Sequence, residues 1–194
     1  MILPKLNGLI LSGGKSSRMG KDKGLINYHG IPQREFLYNL ASYFCNEVYF
    51  SIRNEQKKEL KKKLFIVDED KYKGPFNGIL SAHNYNKKVA WLVLACDLPL
   101  LNKETLSLLV RSRNPRKNAT AFATKKTNLP EPLVSIWEPS GLSYAINYMK
   151  SSKSSCARKF LINSNIKMIY PSSDKFLYNA NSLNDYITAK SFIN

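Results

Sequence analysis

The sequence predicts an α/β protein built on a mainly parallel sheet, and three observations carry that prediction. Short apolar runs alternate with segments of helical period along the chain, the order that lays down strands and crossover helices in turn. The most apolar run, "VAWLVLACD" at 89–97, is unbroken, as befits a central strand buried on both faces. The 194 residues are 43% hydrophobic, enough for a sizeable core and, by length, for one domain.

The elements follow in order. "LNGLILS" (6–12) reads as the first strand, and "GLINYHG" (24–30) as a short extended piece turning at His29 and Gly30. Pro32 suits the first turn of a helix. In that helix Leu37, Leu40, Ala41 and Phe44 recur at i, i+3, i+4 and i+7, a stripe that would face the sheet. "EVYFSIR" (47–53) is the next strand. "KKELKKK" (57–63) is expected to be a solvated helix face, with Glu59 and Leu60 at helical spacing. "LFIVD" (64–68) is a strand, and a Gly-Pro-Phe-Asn-Gly turn at 74–78 opens a helix reaching about Tyr85, ahead of the central strand at 89–97. Beyond Asp97 the order loosens: "KETLSLLV", "GLSYAINYMK", "CARKFLI" and "SLNDYITAKSFI" read as helices, "ATAFATK", "PLVSIW" and "IKMIYP" as strands. "SRNPRKN" (112–118) is a polar loop rather than a hinge. With no repeat or low-complexity linker, residues 1–194 are expected to form one domain.

Composition narrows the function classes. The net charge of +16 invites a nucleic-acid reading, since a basic surface attracts phosphate polymers. Lys, Asn and Ile are spread along the whole length, however, and the aromatic residues follow core periodicity rather than interleaving with basic ones along a stripe. A non-catalytic nucleic-acid-binding module is therefore the rival reading, and no nucleic-acid partner is expected. No apolar run is long enough to span a bilayer, and Pro4, Lys5 and Asn7 interrupt the start, so no membrane association and a cytoplasmic location are expected. Cys45, Cys96 and Cys156 are odd in number and form no CxxC pattern; they are expected to be core thiols. His29 and His83 are assigned to turns or helix surface.

The stretch "LILSGGKSSRMGKDKG" (9–24) is where chemistry concentrates. A glycine pair at a strand end permits positive φ and lets a ligand approach backbone N–H groups, which is phosphate-binding geometry. Two common phosphate loops fail on spacing. Gly20-Lys21 is followed by Asp22 where a Walker loop needs Ser or Thr, and Lys15 stands where G-x-G-x-x-G needs its second glycine.

"LSGGKSSRMGKDKG" resembles the signature of the molybdenum cofactor guanylyltransferases, within the wider nucleotidyltransferase superfamily. Three further segments carry the resemblance in the same order: "VDEDKYKGPFNGILSA", "WLVLACDLPLL" and "LYNANSLNDY". The resemblance implies a three-layer αβα sandwich with a mainly parallel Rossmann-like sheet, the nucleotide-diphospho-sugar transferase fold. Residues 1–100 or so would then be a nucleotide-binding half and about 101–194 an acceptor-binding half. It further implies Mg²⁺-dependent transfer of GMP from GTP to molybdopterin or the molybdenum cofactor, releasing pyrophosphate. Other cofactor-biosynthesis proteins and recipient molybdoenzymes would be partners; a monomer is the default expectation. The nearest alternative is a nucleotidyltransferase using CTP or another phosphate acceptor, such as a cytidylated pterin or a sugar phosphate.

Physical chemistry assigns roles within that frame. Attack of one phosphate on the α-phosphorus of a highly anionic triphosphate brings like charges together, so cations and a metal must offset them. Leu11, Ser12, Gly13, Gly14 and Lys15 would present loop amides to the phosphates, with Lys15, Arg18 and Lys23 adding charge. Arg18 suits a bidentate phosphate contact and Lys23 a point charge beside the α-phosphate. Asp97 ends the most apolar strand, where a carboxylate is costly without a cation; by resemblance it is the Mg²⁺ ligand, alongside substrate phosphates. By the family's spacing Asp68 meets the nucleoside, with Asp70 as its rival, and Ser51 occupies a nucleotide-contact position. Asn179 and Asn181, two apart in an extended segment, would turn both amides to the same side, which suits a pterin edge or a phosphate oxygen; by resemblance they face the molybdopterin acceptor. Asn184 weakens the helix-start pattern after them. Arg158 and Lys159 are candidates for the acceptor's terminal phosphate. The attacking phosphate is already ionised near neutral pH, so no general base is expected.

Overall fold

A computed structural model describes residues 3–14, 22–60, 63–152 and 154–193. The strands are β1 (Leu6–Leu11), β2 (Val48–Ile52), β3 (Phe65–Val67), β4 (Ala90–Ala95), β5 (Ala119–Ala123), β6 (Pro130–Trp137) and β7 (Lys167–Ile169). They form one sheet in the order β3-β2-β1-β4-β6-β5-β7. β1 to β4 are mutually parallel, β7 is parallel to β5, and β6 runs against both its neighbours. The helices are α1 (Gln33–Ser42), α2 (Pro75–Tyr85), α3 (Lys103–Arg111), α4 (Pro139–Ser152), α5 (Ala157–Ile162) and α6 (Leu183–Ile193).

Strand periodicity explains the layers. In β4, Ala90, Leu92 and Leu94 enter one core cluster while Trp91 and Val93 enter the other, because successive side chains leave opposite faces of a strand. Leu37 and Leu40 of α1 and Leu106 and Leu109 of α3 cover the first face. Residues of α2, α4 and α5 cover the second, where Phe76, Trp137 and Phe160 interlock with ring centroids 5.7 to 6.0 Å apart. The result is the expected α/β/α sandwich on a mainly parallel sheet. Removing one such ring, as in Phe160→Ala, is expected to cost about 3–5 kcal/mol. Arg113 braces the polar loop at 112–118 with a two-pronged ion pair to buried Glu138, at 2.7 and 2.9 Å.

Several elements depart from expectation, each for a local reason. The charged segment, expected to be a solvated helix face, begins as a 3-10 helix at Asn54–Glu59, where the Gln56 side chain accepts from the Arg53 N–H at 2.9 Å and tightens the turn; Lys61 and Lys62 lie outside the described residues. The extended piece at 24–30 begins as a 3-10 turn, Lys23–Leu25, capped by Asp22. α1 ends at Ser42, so Phe44 packs on the core from beyond the helix. His83 is buried, not on the surface, its Nε2 lying 3.2 Å from Ser143 Oγ of α4. His29 does sit in a turn, stacked on Phe36. Cys156 is exposed rather than core. Asn184 does not weaken the start of α6, because Ser182 and Asp185 close a reciprocal cap around it: Asp185 accepts from the Ser182 N–H at 2.9 Å and donates its own to Ser182 Oγ at 3.2 Å. Among the described residues no helix is long and apolar enough to cross a membrane.

Candidate active site

In a parallel sheet the loops leaving the carboxyl ends of neighbouring strands converge, and ligands bind there. Here the ends of β1, β2, β3 and β4 wall a cleft of about 460 Å³, with the amino end of α2 on its far side. The site is built from three pieces.

The first is the loop after β1. Leu11, Ser12, Gly13 and Gly14 all line the cleft. The Ser12 N–H donates to the Ser51 carbonyl at 2.9 Å, continuing the ladder one residue past β1. Gly13 lets Asp68 come close: a Cβ there would lie 2.7 Å from Asp68 Oδ2, so a side chain would displace that carboxylate. Positive φ is not the reason, contrary to the expectation from the glycine pair, for neither Gly13 nor Gly14 adopts it. Lys15 and Arg18, with Lys21, lie outside the described residues. The chain returns at Asp22, whose Oδ1 accepts from the Gly24 N–H at 2.8 Å and thereby sets the turn that carries Lys23.

The second piece lies at the ends of β2 and β3. Ser51 Oγ donates to Asp68 Oδ1 at 2.6 Å. Burial pushes the Asp68 carboxyl up to about 6 and the nearby Asp70 adds to the rise, outweighing the opposing Ser51 hydrogen bond and Arg53 charge. Gly78 of α2 makes this closeness sterically feasible, since a Cβ there would lie 2.2 Å from Ser51 Oγ. Asp70 lines the same cleft at φ 55°, its Oδ1 held by Asn77 Nδ2 at 3.2 Å. Both rival aspartates are thus brought to the same part of the cleft wall.

The third piece is Asp97, just past β4. Burial raises its pKa and the Lys23 charge opposes the rise. Lys23 Nζ stands 3.9 Å from Asp97 Oδ2 and donates to Asn181 Oδ1. The Ala180 N–H donates to the Asp97 carbonyl at 2.8 Å, tying the Asn179–Asn181 stretch to this corner. The two asparagine amides take different partners, however: Asn179 Nδ2 donates to the Leu177 carbonyl at 3.3 Å. Arg158 also goes elsewhere, to Glu131 Oε2 at 2.8 Å.

Sequence reasoning missed Arg53, Gln56 and Glu131. Arg53 Nη1 donates to the Gly13 carbonyl at 2.6 Å, and buried Gln56 donates to the Ser12 carbonyl at 3.2 Å and to Asp22 Oδ2 at 3.1 Å. For Arg53 and Gln56 the signal was a glutamine three residues after the first residue beyond β2, the spacing of a side-chain cap. Glu131 enters because β6 runs backward; continuing its register with β4 sets it beside Asp97, whose charge it senses.

Two features bear on a divalent cation. Among the described residues the cleft wall carries Asp22, Asp68, Asp70 and Asp97 against Lys23 and Arg53. Asp97 Oδ1 is buried without a hydrogen-bond partner among them. A hard carboxylate oxygen with no hydrogen-bond partner among the described residues, on a group that also lines the cleft, fits a Mg²⁺ ion whose other ligands are phosphates and water. No group of three or more His, Cys, Asp or Glu among the described residues forms a metal cage of its own.

Comparison with known proteins agrees in fold and in family. A solved structure, molybdopterin-guanine dinucleotide biosynthesis protein A from Archaeoglobus fulgidus, superposes with a TM-score of 0.78 at 21% identity, covering 96% of this chain and 98% of that one. The "Molybdenum cofactor biosynthesis bifunctional protein" of Synechocystis is 34% identical over 93% of this chain and 52% of its own length. A "Probable molybdenum cofactor guanylyltransferase" of Clostridium perfringens is 28% identical over 94% of both chains. The chain spans only 50–59% of the length of the Synechocystis protein and of three further curated relatives. Residues 8–166 match the MobA-like NTP transferase domain, which takes in the glycine loop, Asp68 and Asp97, and the chain belongs to that family.

Proposed function

We propose that this chain is a nucleotidyltransferase that moves GMP from GTP to the terminal phosphate of molybdopterin or its molybdenum-loaded form, releasing pyrophosphate. The observation that carries the reading is the shared cleft: the glycine loop, Lys23 and Asp97 line one space, with Lys23 Nζ 3.9 Å from the Asp97 carboxylate.

In this reading the loop amides and Lys23, joined by Lys15 and Arg18, hold the triphosphate. Lys23 neutralises charge building at the α-phosphate. An oxygen of the acceptor phosphate bonds to the α-phosphorus, and the bond from that phosphorus to the bridging β-oxygen breaks as pyrophosphate departs. The attacking oxygen is already ionised, so no protein group has to accept a proton. Asp97 would hold Mg²⁺, which when bound supplies charge neutralisation to the triphosphate.

Base choice would rest on Asp68. An ionised carboxylate only accepts hydrogen bonds, which suits the N1–H and amino donors along one edge of guanine. Ser51, by donating to Asp68, would aim it. Asn181, already bonded to Lys23, would report acceptor occupancy to the donor side, and Asn179 would meet the pterin once released from Leu177.

The test is direct. Purified protein with GTP, Mg²⁺ and molybdopterin should release pyrophosphate and form a guanine dinucleotide. No turnover with any pterin, alongside turnover with CTP or a different phosphate acceptor, would reject the assignment while retaining the transferase chemistry.

A further inference from the structure

The β2–β3 connection grips the glycine loop at three points that no catalytic role explains. Gln56 is buried, with 2% of its surface exposed, and its amide is fully engaged. Its Nε2 donates to the Ser12 carbonyl at 3.2 Å and to Asp22 Oδ2 at 3.1 Å, while its Oε1 accepts from the Arg53 N–H at 2.9 Å. Ser12 and Asp22 are the two stems of the loop. One neutral side chain therefore ties the point where the chain leaves β1 to the point where it returns with Lys23. Next to it, Arg53 Nη1 donates to the Gly13 carbonyl at 2.6 Å.

These contacts matter for direction more than for strength. None of the described peptide bonds is cis. In a trans peptide the carbonyl and the following N–H point opposite ways in one plane. Holding the Ser12 carbonyl toward Gln56 therefore aims the Gly13 N–H away from it, and holding the Gly13 carbonyl toward Arg53 does the same for the Gly14 N–H. Both glycines line the cleft. Without side chains to restrict them, these peptides would otherwise flip at little cost. A flip would replace an N–H by a carbonyl oxygen and turn attraction for phosphate into repulsion.

We propose that Gln56 is a positioning residue for nucleoside triphosphate binding: with Arg53, it holds the Ser12 and Gly13 carbonyls toward the β2–β3 connection, so that the loop amides of Gly13 and Gly14 are left to meet the anion. The inference rests on the reading that this cleft takes a triphosphate. It assigns to the neutral Gln56 an effect on phosphate affinity that no charge of its own could produce.

The experiment measures dissociation constants by calorimetry for Mg²⁺ with GTP and for guanosine, using wild type, Gln56→Leu and Gln56→Glu. Gln56→Leu changes no charge, so a lost affinity for the triphosphate reports geometry. Gln56→Glu keeps an acceptor for the Arg53 N–H but loses both donors. The expected result is about a tenfold weaker GTP affinity in each variant, with guanosine affinity changed less than twofold, since misaligned amides affect only the phosphates. Should Gln56→Leu fail to fold, Gln56→Met replaces it. A folded variant that binds GTP as tightly as wild type, or loses GTP and guanosine affinity equally, would overturn the inference. If wild type itself binds neither GTP nor CTP, the functional reading fails instead.

Discussion

From β1 to β4 all strands run one way, so each chain leaving the edge delivers its next residues into the cleft: Ser12 and Gly13 after β1, Arg53 after β2, Asp68 after β3, Asp97 after β4. From β6 to β7 the edge is assembled otherwise. The reversed β6 enters there, bringing Glu131 and Leu133, and the region is closed by the Arg158–Glu131 pair and the Ser182–Asp185 cap. Parallel strand ends concentrate backbone amides and carboxylates without further help. The reversed side must build its contacts from long side chains. Under the proposed function the parallel side binds the donor nucleotide and the reversed side the acceptor; the donor side should therefore fail abruptly when a single residue changes, and the acceptor side gradually.

Four substitutions sharpen or break that contrast. Asp97→Asn should reduce turnover on the order of 10³-fold, read as pyrophosphate release. The same variant should melt at pH 7 no lower than wild type. Burial holds the Asp97 pKa above its ordinary value, so its ionised form opposes folding at neutral pH, and the opposition fades only as pH falls toward the ordinary carboxylate range. A lowered Tm would make Asp97 a structural residue. Lys23→Met should cost about 10²-fold in kcat, since one point charge beside the reacting phosphate is lost. An effect on acceptor KM alone would move Lys23 to the other side of the comparison.

Asp68 gives a smaller, pH-dependent effect. Its carboxyl titrates at about 6, above the usual 3.8, so protonation stabilises the empty fold as pH falls through that window. The ionised form is the one suited to guanine, so GTP affinity should rise as pH climbs through 6. Asp68→Asn should flatten that rise and raise the Tm of the empty protein more at pH 7 than at pH 4.5. A rise that persists unchanged in Asp68→Asn would remove Asp68 from the base contact. The mildest outcome is expected on the acceptor side, where Asn181→Ala should raise acceptor KM by less than tenfold, the scale of one hydrogen bond. An abrupt loss there, comparable to Asp97→Asn, would contradict the contrast itself.

What the sequence made legible follows the same division. The layers were readable because each strand carries its own apolar run, and the donor side was readable because its residues sit just beyond those runs. Asp97 follows "WLVLAC" and Asp68 follows "LFIV", so locating the strand locates the residue. Glu131 was hidden because its place depends on β6 running backward, a fact of pairing that no local pattern states. Gln56 was hidden in a run of lysines that reads as solvent-facing, and its burial arises only when the segment folds back on the loop after β1. His83 was misplaced because its burial depends on α4 packing against α2, a long-range contact.

The central claim is that one nucleotide reaches both the glycine loop and Asp97. A crystal structure of the chain with GTP and Mg²⁺ tests it most directly. The account predicts phosphate oxygens within hydrogen-bonding distance of the Gly13 and Gly14 amides, and a metal ion bonded to Asp97 and to the same triphosphate. A triphosphate bound elsewhere, or one held by the loop with its metal remote from Asp97, would contradict it.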